Sequence, residues 1–337
     1  GLDLGLSVQL AQFRARRARL VGQEESHLLR TIVREGDDGA ADDKILLADT
    51  DLTDEAKARV LDAYIDYVDL NHARELVEKE PVIVKRKQSL LVTRSKLPVS
   101  TALSFDPPPT VSPHLAHDSM RANVSRLSND TKGDATVVGF RFAFHDLIDP
   151  TDGLPSNADI EMGTFTFRVW DRTNRVQLED FAVFGVGNYQ PLDPYSMKTS
   201  WRVRAGVNRV DDLRCEDCDA VFFKGGSGVS VNLWNKGPLG YFLVEGAVES
   251  SPRFETERLT TSVGPTLGLR AQVKPWISVL LEGRYLRNIN LPVFEDRQLD
   301  AHLRLYPKSQ QVAWAFDASA AFKRASREVS VGLVHYF

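Results

Sequence analysis

The sequence contains only two cysteines, Cys215 and Cys218, and both belong to a single C-x-x-C motif. A structural zinc site needs a second such pair or neighbouring histidines, and the sequence around this motif has neither. A lone C-x-x-C in an exported protein is either a small disulfide or half of a metal site, and the missing ligands favour the disulfide. We therefore predict a structural disulfide here, with no metal and no cofactor.

The sequence also lacks a long apolar run and a strong charge of either sign. No stretch of about 18 apolar residues occurs, which excludes a transmembrane helix. The net charge is −4, the pI is near 6.0 and the arginines are scattered, so no nucleic-acid partner is indicated. The mean hydropathy of −0.25 is compatible with an outer-membrane barrel, because barrel strands are apolar on one face only.

A signal peptide is missing as well. Gly1 opens a mildly amphipathic segment without a basic start or an apolar stretch behind it. If the protein is exported, Gly1 is not the start of translation. We therefore expect the chain to be the later part of a longer product.

The first hundred residues carry helical patterns and end in a proline-rich stretch. Apolar residues recur at helical spacing in residues 7–33 and 55–77, and Thr53 followed by two acids is a plausible helix start. Residues 82–94 have a mixed pattern, and the prolines within residues 98–113 exclude a helix there. We predict a helical connector domain in residues 1–97, a proline-rich linker in residues 98–113 and a second domain in residues 114–337.

Residues 114–337 have a period of two, with about twelve strand candidates in succession. The last candidate strand gives the clearest indication of the fold. Its alternate residues share one mostly apolar face and end on a free aromatic terminus, a pattern typical of the closing strand of an outer-membrane barrel, whose last aromatic the insertion machinery reads. The members of that face are Val329, Val331, Leu333, His335 and Phe337.

Three features favour a barrel over a soluble sandwich, which has the same alternation. Many candidates run ten or more residues, the span of a tilted membrane strand. Aromatics such as Trp170, Trp201 and Trp276 lie near strand ends, as interfacial girdles require. An even strand count leaves Phe337 on the side of the N-terminal domain. We predict an antiparallel outer-membrane β-barrel of about twelve strands, preceded by a small α-helical segment in the periplasm, with the C-x-x-C connection at the cell surface.

Two histidine-containing stretches at the start of this region form a candidate polar site at the periplasmic mouth. If residues 112–121 and 140–149 are the first two strands, joined by a turn near Thr131, His117 faces His145 across the pair. The paired imidazoles have three possible functions: binding a metal, acting as acid and base, or holding an anionic head group with help from arginines. The alternative is a hydrogen-bonded plug that braces the wall. The candidate residues are His117, Asp118, Ser119, Arg121, His145 and Asp146, with Arg141 as a further anion-binding residue.

Several stretches resemble a known family. LDAYIDYVDL with QSLLVTRSKLP, then SPHLAHDSMR, GFRFAFHDLIDPTDG, ADIEMGTFTFRVW and TSWRVRAGVNR are similar to the C-terminal portion of the Lnb-type envelope proteins, which are related to a lipoprotein N-acyltransferase. The resemblance covers residues 7–210. It implies thiol-based acyl transfer by a papain-like cysteine and histidine in a periplasmic domain that precedes the part seen here. Neither Cys215 nor Cys218 has the family's catalytic context, so no catalytic residue is carried over.

The resemblance leads to one main functional hypothesis and two alternatives. Residues 1–4 (GLDL) look like the segment behind the family's cysteine helix, so we expect a post-catalytic connector and a membrane barrel that presents lipids or lipoproteins to an upstream acyltransferase domain. The first alternative is a passive channel or a structural subunit of an envelope complex. The second is an outer-membrane lipid hydrolase in which Ser119 acts with His117 or His145, although no acidic partner is placed for it.

Overall fold

The computed structural model describes most of the chain from Leu10 onward. Residues 11, 14, 18, 21–22, 38–50, 99–115, 151–153, 155–156, 193–198, 213, 235–236, 256–257, 291–294, 308–312 and 325 are not described. The chain divides into two compact units, residues 1–110 and 111–337. The predicted linker in residues 98–113 and the GLDL stretch lie almost wholly outside the described residues.

The first unit is helical, with α1 at Gln23–Asp37, α2 at Asp54–Asn71, α3 at Ala73–Val77 and α4 at Pro81–Arg94. The Thr53 hydroxyl accepts a hydrogen bond from the Ala56 amide and caps α2 at the predicted start. The predicted helix across residues 55–77 is interrupted at His72, which separates α2 from α3. The mixed stretch of residues 82–94 proves to be helical, and Pro81 is tolerated because it lies in the first turn.

Helix α2 is the centre of this unit. Its buried face includes Val60, Leu61, Tyr64 and Val68, and it packs against α1 and α4. Ion pairs tie its polar side to its neighbours, as when Arg59 binds the buried Glu25 of α1. None of the described helices is long and apolar enough to span a membrane.

The second unit is a closed antiparallel barrel of twelve strands, which confirms the predicted fold and strand number. Each strand pairs with its sequence neighbours, and β12 closes the barrel against β1. The strands are β1 Arg121–Asn129, β2 Gly133–His145, β3 Ala158–Trp170, β4 Arg175–Asn188, β5 Ser200–Asp212, β6 Cys215–Asn232, β7 Leu239–Ser250, β8 Leu259–Lys274, β9 Ile277–Asn288, β10 Glu295–Leu305, β11 Trp314–Lys323 and β12 Arg327–Tyr336.

The barrel wall has an apolar outside and a polar inside, because successive side chains of a strand point to opposite faces. In β12 the outward set begins with Val329 and Val331, which are 55% and 59% exposed. On the inward side, Glu328 binds Arg168 across the lumen, and Tyr336 is buried. The alternation predicted for the last strand is therefore confirmed.

The two ends of the barrel differ in what they carry. We call the end at which β1 begins and β12 finishes the terminal end, and the opposite one the far end. Phe337 lies at the terminal end, where its amide donates to the Met120 carbonyl at 3.1 Å. Cys215 and Cys218 form a disulfide at the far end, where β6 begins.

Candidate functional site

The chain turns into the lumen directly after β2 ends at His145, at the terminal end. We call residues 146–150 the inward segment. Its two aspartates fold it locally, since Asp149 Oδ2 accepts from the Asp146 amide at 2.9 Å and Asp146 Oδ1 accepts from the Ile148 amide at 3.1 Å. Aspartate favours such turns because its short side chain reaches nearby backbone amides.

Three arginines of the barrel wall surround the carboxylate of Asp149, whose side chain is 0% exposed. Arg141 Nη2 donates to Asp149 Oδ2 at 2.8 Å, and Arg304 Nη1 donates to Asp149 Oδ1 at 2.5 Å. The Tyr336 hydroxyl donates to the same Oδ1 at 2.5 Å. Arg121 lies 3.8 Å from Asp149 and makes its closest contact with the other carboxylate of the segment.

Asp146 is the second anion of this cluster. Arg121 Nη1 donates to its Oδ2, Arg304 Nη1 lies 3.2 Å from its Oδ1 and Arg141 Nη1 lies 3.5 Å from its Oδ2. Burial alone would raise the pKa of Asp146 and Asp149, but the arginines outweigh it and hold both pKa values below the usual range, that of Asp146 well below. Both aspartates are therefore ionised at neutral pH.

The inward segment crosses the lumen to the opposite wall. Leu147 packs into a buried cluster with Tyr189, Leu239, Tyr241 and Leu243. Its carbonyl accepts from Arg270 Nε at 2.9 Å. Arg270 belongs to β8, which lies six strands from β2 in the ring of twelve, so the segment reaches across the lumen at the terminal end.

Tyr306 holds the same segment from the connection after β10, since its hydroxyl donates to the Ile148 carbonyl. Together with Arg304 and Tyr336, it fixes the segment to the β10–β12 side of the wall. The inward segment thus contacts the barrel through side chains from several strands that lie far apart in sequence.

Cross-lumen ion pairs occupy the barrel beyond the inward segment. Arg202 of β5 donates to Glu245 of β7 at 2.5 and 2.7 Å and to Glu282 of β9 at 2.6 and 3.0 Å. Arg168 of β3 similarly binds Glu328 of β12 at 2.8 and 3.0 Å. Such pairs offset the cost of placing charges in the lumen and brace the wall.

Cavities with volumes of about 360, 460 and 530 Å³ lie between these charges. The smallest adjoins the inward segment, and the largest lies toward the far end, where it is lined by residues such as Asn129, Trp170 and Arg214. Within the described ranges, no group of three or more His, Cys, Asp or Glu side chains has the spacing to hold a metal ion.

Of the predicted site residues, the structure brings Arg121 and Asp146 together. The predicted contact between His117 and His145 is wrong, because β1 begins only at Arg121 and His117 lies before it. The predicted register itself is correct, since Arg121 pairs with Arg141, but the paired ladder ends there.

The two histidines have separate surroundings. The His117 ring lies 4.8 Å from the Tyr336 ring, and its Nδ1 lies 2.7 Å from the Asp118 carbonyl. His145 is buried, pairs with Ile160 of β3 and borders the cavity of about 460 Å³.

Ser119 and Asp118 are exposed and lie outside the arginine cluster. In the described part of the chain, Ser119 makes no hydrogen bond to His117 or to His145. The site residues therefore remain a prediction as a functional set, and the side-chain contact seen among the six is the ion pair of Arg121 with Asp146.

The sequence reasoning missed most of the residues that hold the segment. Asp149 occurs in the HDLIDPTDG stretch, whose two aspartates and proline signal a turn rather than a continuing strand. The partners on the wall carried no such signal, because their nearness depends on closure of the barrel. Those partners are Arg270, Arg304, Tyr306 and Tyr336.

Comparison with known proteins gives one family and several distant structures. The family model described as "Domain of unknown function (DUF7840)" matches residues 110–336, more than half of the chain. No curated protein sequence matches. Nothing in these comparisons supports the resemblance to the Lnb-type proteins.

The similar solved structures are outer-membrane barrels. The KdgM porin in complex with disordered oligogalacturonate is 7% identical, with 64% of this chain and 99% of that one covered and a TM-score of 0.37. An outer-membrane channel from Pseudomonas putida F1 is 10% identical, with 69% and 100% covered and a TM-score of 0.38. Acinetobacter baumannii Omp33 is 10% identical, with 66% and 99% covered and a TM-score of 0.32. At such identities the similarity concerns the barrel and not a solute.

Proposed function

Since the chain belongs to the DUF7840 family, whose domain coincides with the barrel, we propose that it is an outer-membrane β-barrel that forms a narrow polar pore, closed by its inward segment. The distribution of side chains supports the membrane location. Large apolar residues such as Val124, Leu267 and Leu299 are exposed on the outside of the wall, whereas charged residues fill the inside. Lipid accommodates such an exterior, and water does not.

The orientation follows from the position of the chain ends. Outer-membrane barrels with an even number of strands place both ends of the barrel chain on the periplasmic side. We therefore propose that the terminal end, with the inward segment, faces the periplasm together with the helical unit, and that the disulfide-bearing far end faces the cell surface.

The polar lining of the lumen is the main support for the proposed pore. Its walls bear arginines and carboxylates from the terminal end to the far end, and cavities of about 360, 460 and 530 Å³ lie between them. Charged groups in a barrel interior are tolerated where they are paired or hydrated. A hydrated interior that is interrupted by a short segment, rather than filled by an apolar core, is suited to the passage of small polar solutes when the segment moves.

The proposal is tested by ion conductance of the 337-residue chain in planar bilayers, comparing wild type with Leu147→Asn. Loss of Leu147 from its apolar cluster removes roughly 1.5–3 kcal/mol from the closed position, which is about tenfold or more in the closed-to-open ratio. We expect rare openings from wild type and frequent ones from the variant. Leu233→Asn, at an exposed position just after β6, is the matched control and should behave as wild type. No current from either wild type or Leu147→Asn, with both folded, would refute the pore.

A second candidate is the anchor that the Lnb resemblance implies, in which the barrel presents lipids or lipoproteins to an upstream thiol acyltransferase domain. The cross-lumen pairs of Arg168 and Arg202 favour it, because they brace the wall in the manner of a permanent support. The anchor predicts that Leu147→Asn remains non-conducting and that acyl transfer is found only in a longer protein. The conductance experiment therefore separates the two functions.

A further inference from the structure

Arg270 differs from the other arginines inside the barrel. It belongs to β8 at the terminal end of the lumen, and only 8% of it is exposed. Each of the other buried or half-buried arginines of the second unit has a carboxylate oxygen within 4.0 Å, as Arg141, Arg202 and Arg304 do. Among the described residues, Arg270 has no such partner. A buried guanidinium without an anion is costly, so this exception indicates a function other than bracing the wall.

The guanidinium of Arg270 uses one of its edges only in part. Its Nε donates to the Leu147 carbonyl at 2.9 Å, whereas its Nη2 is buried and has no hydrogen-bond partner in the described part of the chain. Nε and Nη2 lie on the same edge of the planar group, and two parallel N–H bonds from such an edge match the two oxygens of a carboxylate or a phosphate. Buried donors are normally satisfied, so the unused Nη2 beside an unneutralised charge indicates an anionic acceptor that is not protein.

The surroundings of Arg270 are apolar. The residues paired with it on the neighbouring strands are Leu239 of β7 and Leu280 of β9. Both belong to, or pack against, the buried cluster that also receives Leu147. An ion pair is stronger where water is scarce, so an anion that reaches this guanidinium is bound more tightly than it would be at an exposed arginine.

Movement of the inward segment makes the terminal end of the lumen positive. In the closed position, the two aspartates of the segment neutralise the wall arginines that surround them, Arg121, Arg141 and Arg304. When the segment moves, both carboxylates leave with it, and the three arginines join Arg270 as cations without their anions. A lumen lined by one sign of charge concentrates ions of the opposite sign, so the open position favours anions.

We propose that Arg270 is a binding site for oxyanionic solutes, which carry a carboxylate or a phosphate, and that such a solute opens the pore by taking the Nε–Nη2 edge in place of the Leu147 carbonyl. The proposal rests on the proposed pore function and names its solute class. The edge is free only when the inward segment has moved, so an oxyanion binds the open position more tightly than the closed one. Binding therefore shifts the equilibrium toward the open position.

The test is single-channel recording of the 337-residue chain in planar bilayers at constant ionic strength, with chloride replaced stepwise by acetate or by inorganic phosphate. A site with a Kd of about 50 mM in the open position gives about a threefold rise in the open-to-closed ratio at about 100 mM of either probe. Arg270→Lys retains the positive charge but not the two parallel donors, so its rise should stay below about 1.5-fold. Arg284→Lys, at a lumen position paired with Asp296 at 3.3 Å, is the matched control and should respond as wild type.

The outcomes separate this proposal from the one on which it rests. Absence of current from both wild type and Leu147→Asn overturns the pore and the oxyanion site together. An equal open fraction in acetate, phosphate and chloride, or a rise in Arg270→Lys equal to that of wild type, overturns the oxyanion site and leaves the pore standing. A rise in acetate alone identifies the bound group as a carboxylate, and a rise in phosphate alone identifies it as a phosphate. Heat-modifiable electrophoretic mobility establishes the folded barrel, and the wild-type titration tests the site even where Arg270→Lys does not fold.

Discussion

Replacing Asp149 by asparagine should release the inward segment. The Asp149 carboxylate receives hydrogen bonds from Arg141, Arg304 and Tyr336 and from the Asp146 amide. Asparagine has nearly the same volume, so the substitution opens no cavity. It removes one negative charge from a buried cluster in which three arginines share two aspartates.

The size of the effect depends on which carboxylates the arginines still contact after the substitution. Arg304 still has Asp317 at 2.8 Å, and Arg141 lies 3.5 Å from Asp146. Removing one partner of a buried ionic group costs about 3–5 kcal/mol, and the remaining pairs place this case at the low end. A loss of about 3 kcal/mol is a factor of about 150 in the closed-to-open ratio. A wild-type pore that is open about 1% of the time would then be open for more than half of it.

Single-channel recording measures this ratio directly as the open fraction. Asp130→Asn is the matched control, because Asp130 is exposed at the far end, where it accepts hydrogen bonds from the Thr131 hydroxyl at 3.1 Å and from the Arg327 amide at 2.9 Å. An open fraction of Asp149→Asn within a factor of two of wild type, in a barrel shown to be folded, would refute the closing role of the cluster.

Three further predictions concern pH, the lipid face and the helical unit. The arginines hold the pKa values of Asp146 and Asp149 below the usual range, so closure is retained above about pH 4 and is lost only as the pH falls through those values. The open fraction of the pore should therefore be constant from about pH 5 to 8 and rise on stronger acidification. Val124→Arg places a charge on the exposed outside of β1 and should lower the free energy of unfolding of the barrel in lipid by about 2–4 kcal/mol. Ser125→Arg, on the cavity side of the same strand, should lower it much less. Urea unfolding in lipid vesicles measures both values. Burial raises the pKa of Asp66 in α2 to about 6, so the packing of this helix is strongest below about pH 4 and weakens as the pH rises through 6. Hydrogen exchange of the α2 amides, corrected for intrinsic rates, measures this dependence. The Asp66→Asn variant should not show it.

The barrel was predictable from sequence because its determinants are local. Alternation has a period of two, and a short turn fixes the register of the strands on either side. The turn near Thr131 therefore gave the register of β1 and β2 correctly, with Arg121 opposite Arg141. The same reasoning identified the outward face of β12, whose members Val329 and Val331 are exposed.

The alternation fails where the backbone departs from regular pleating. Glu161 and Arg168 of β3 both bind lumen partners, although they are an odd number of residues apart. Gly163 lies between them at φ +59°, and the register with β4 shifts between Thr166 and Phe167. After a bulge of this kind, the residues that would have faced the outside of the barrel face the lumen, and the reverse. The pattern of apolar residues does not predict where a bulge occurs.

The inward segment was missed for a different reason. Extending β1 and β2 by alternation placed His117 opposite His145, but it gave no account of where the chain goes after His145. The direction of that turn depends on arginines and tyrosines that the closed barrel alone brings near, such as Arg270 and Arg304. Local sequence patterns do not predict contacts between elements that lie more than a hundred residues apart.

The balance of forces on the inward segment makes reversible closure physically reasonable. Moving the whole segment into water separates the aspartates from the arginines, but both sets regain hydration, so the net cost of parting intact pairs is small. Burial of Leu147 contributes roughly 1.5–3 kcal/mol to the closed position. The total is a few kcal/mol, the range in which a minor open state is populated and a solute or a single substitution is able to shift it. Asp149→Asn is expected to act strongly because it removes one anion from the buried guanidinium groups of Arg141 and Arg304 in the closed position, whereas in the open position these groups are hydrated and lose nothing.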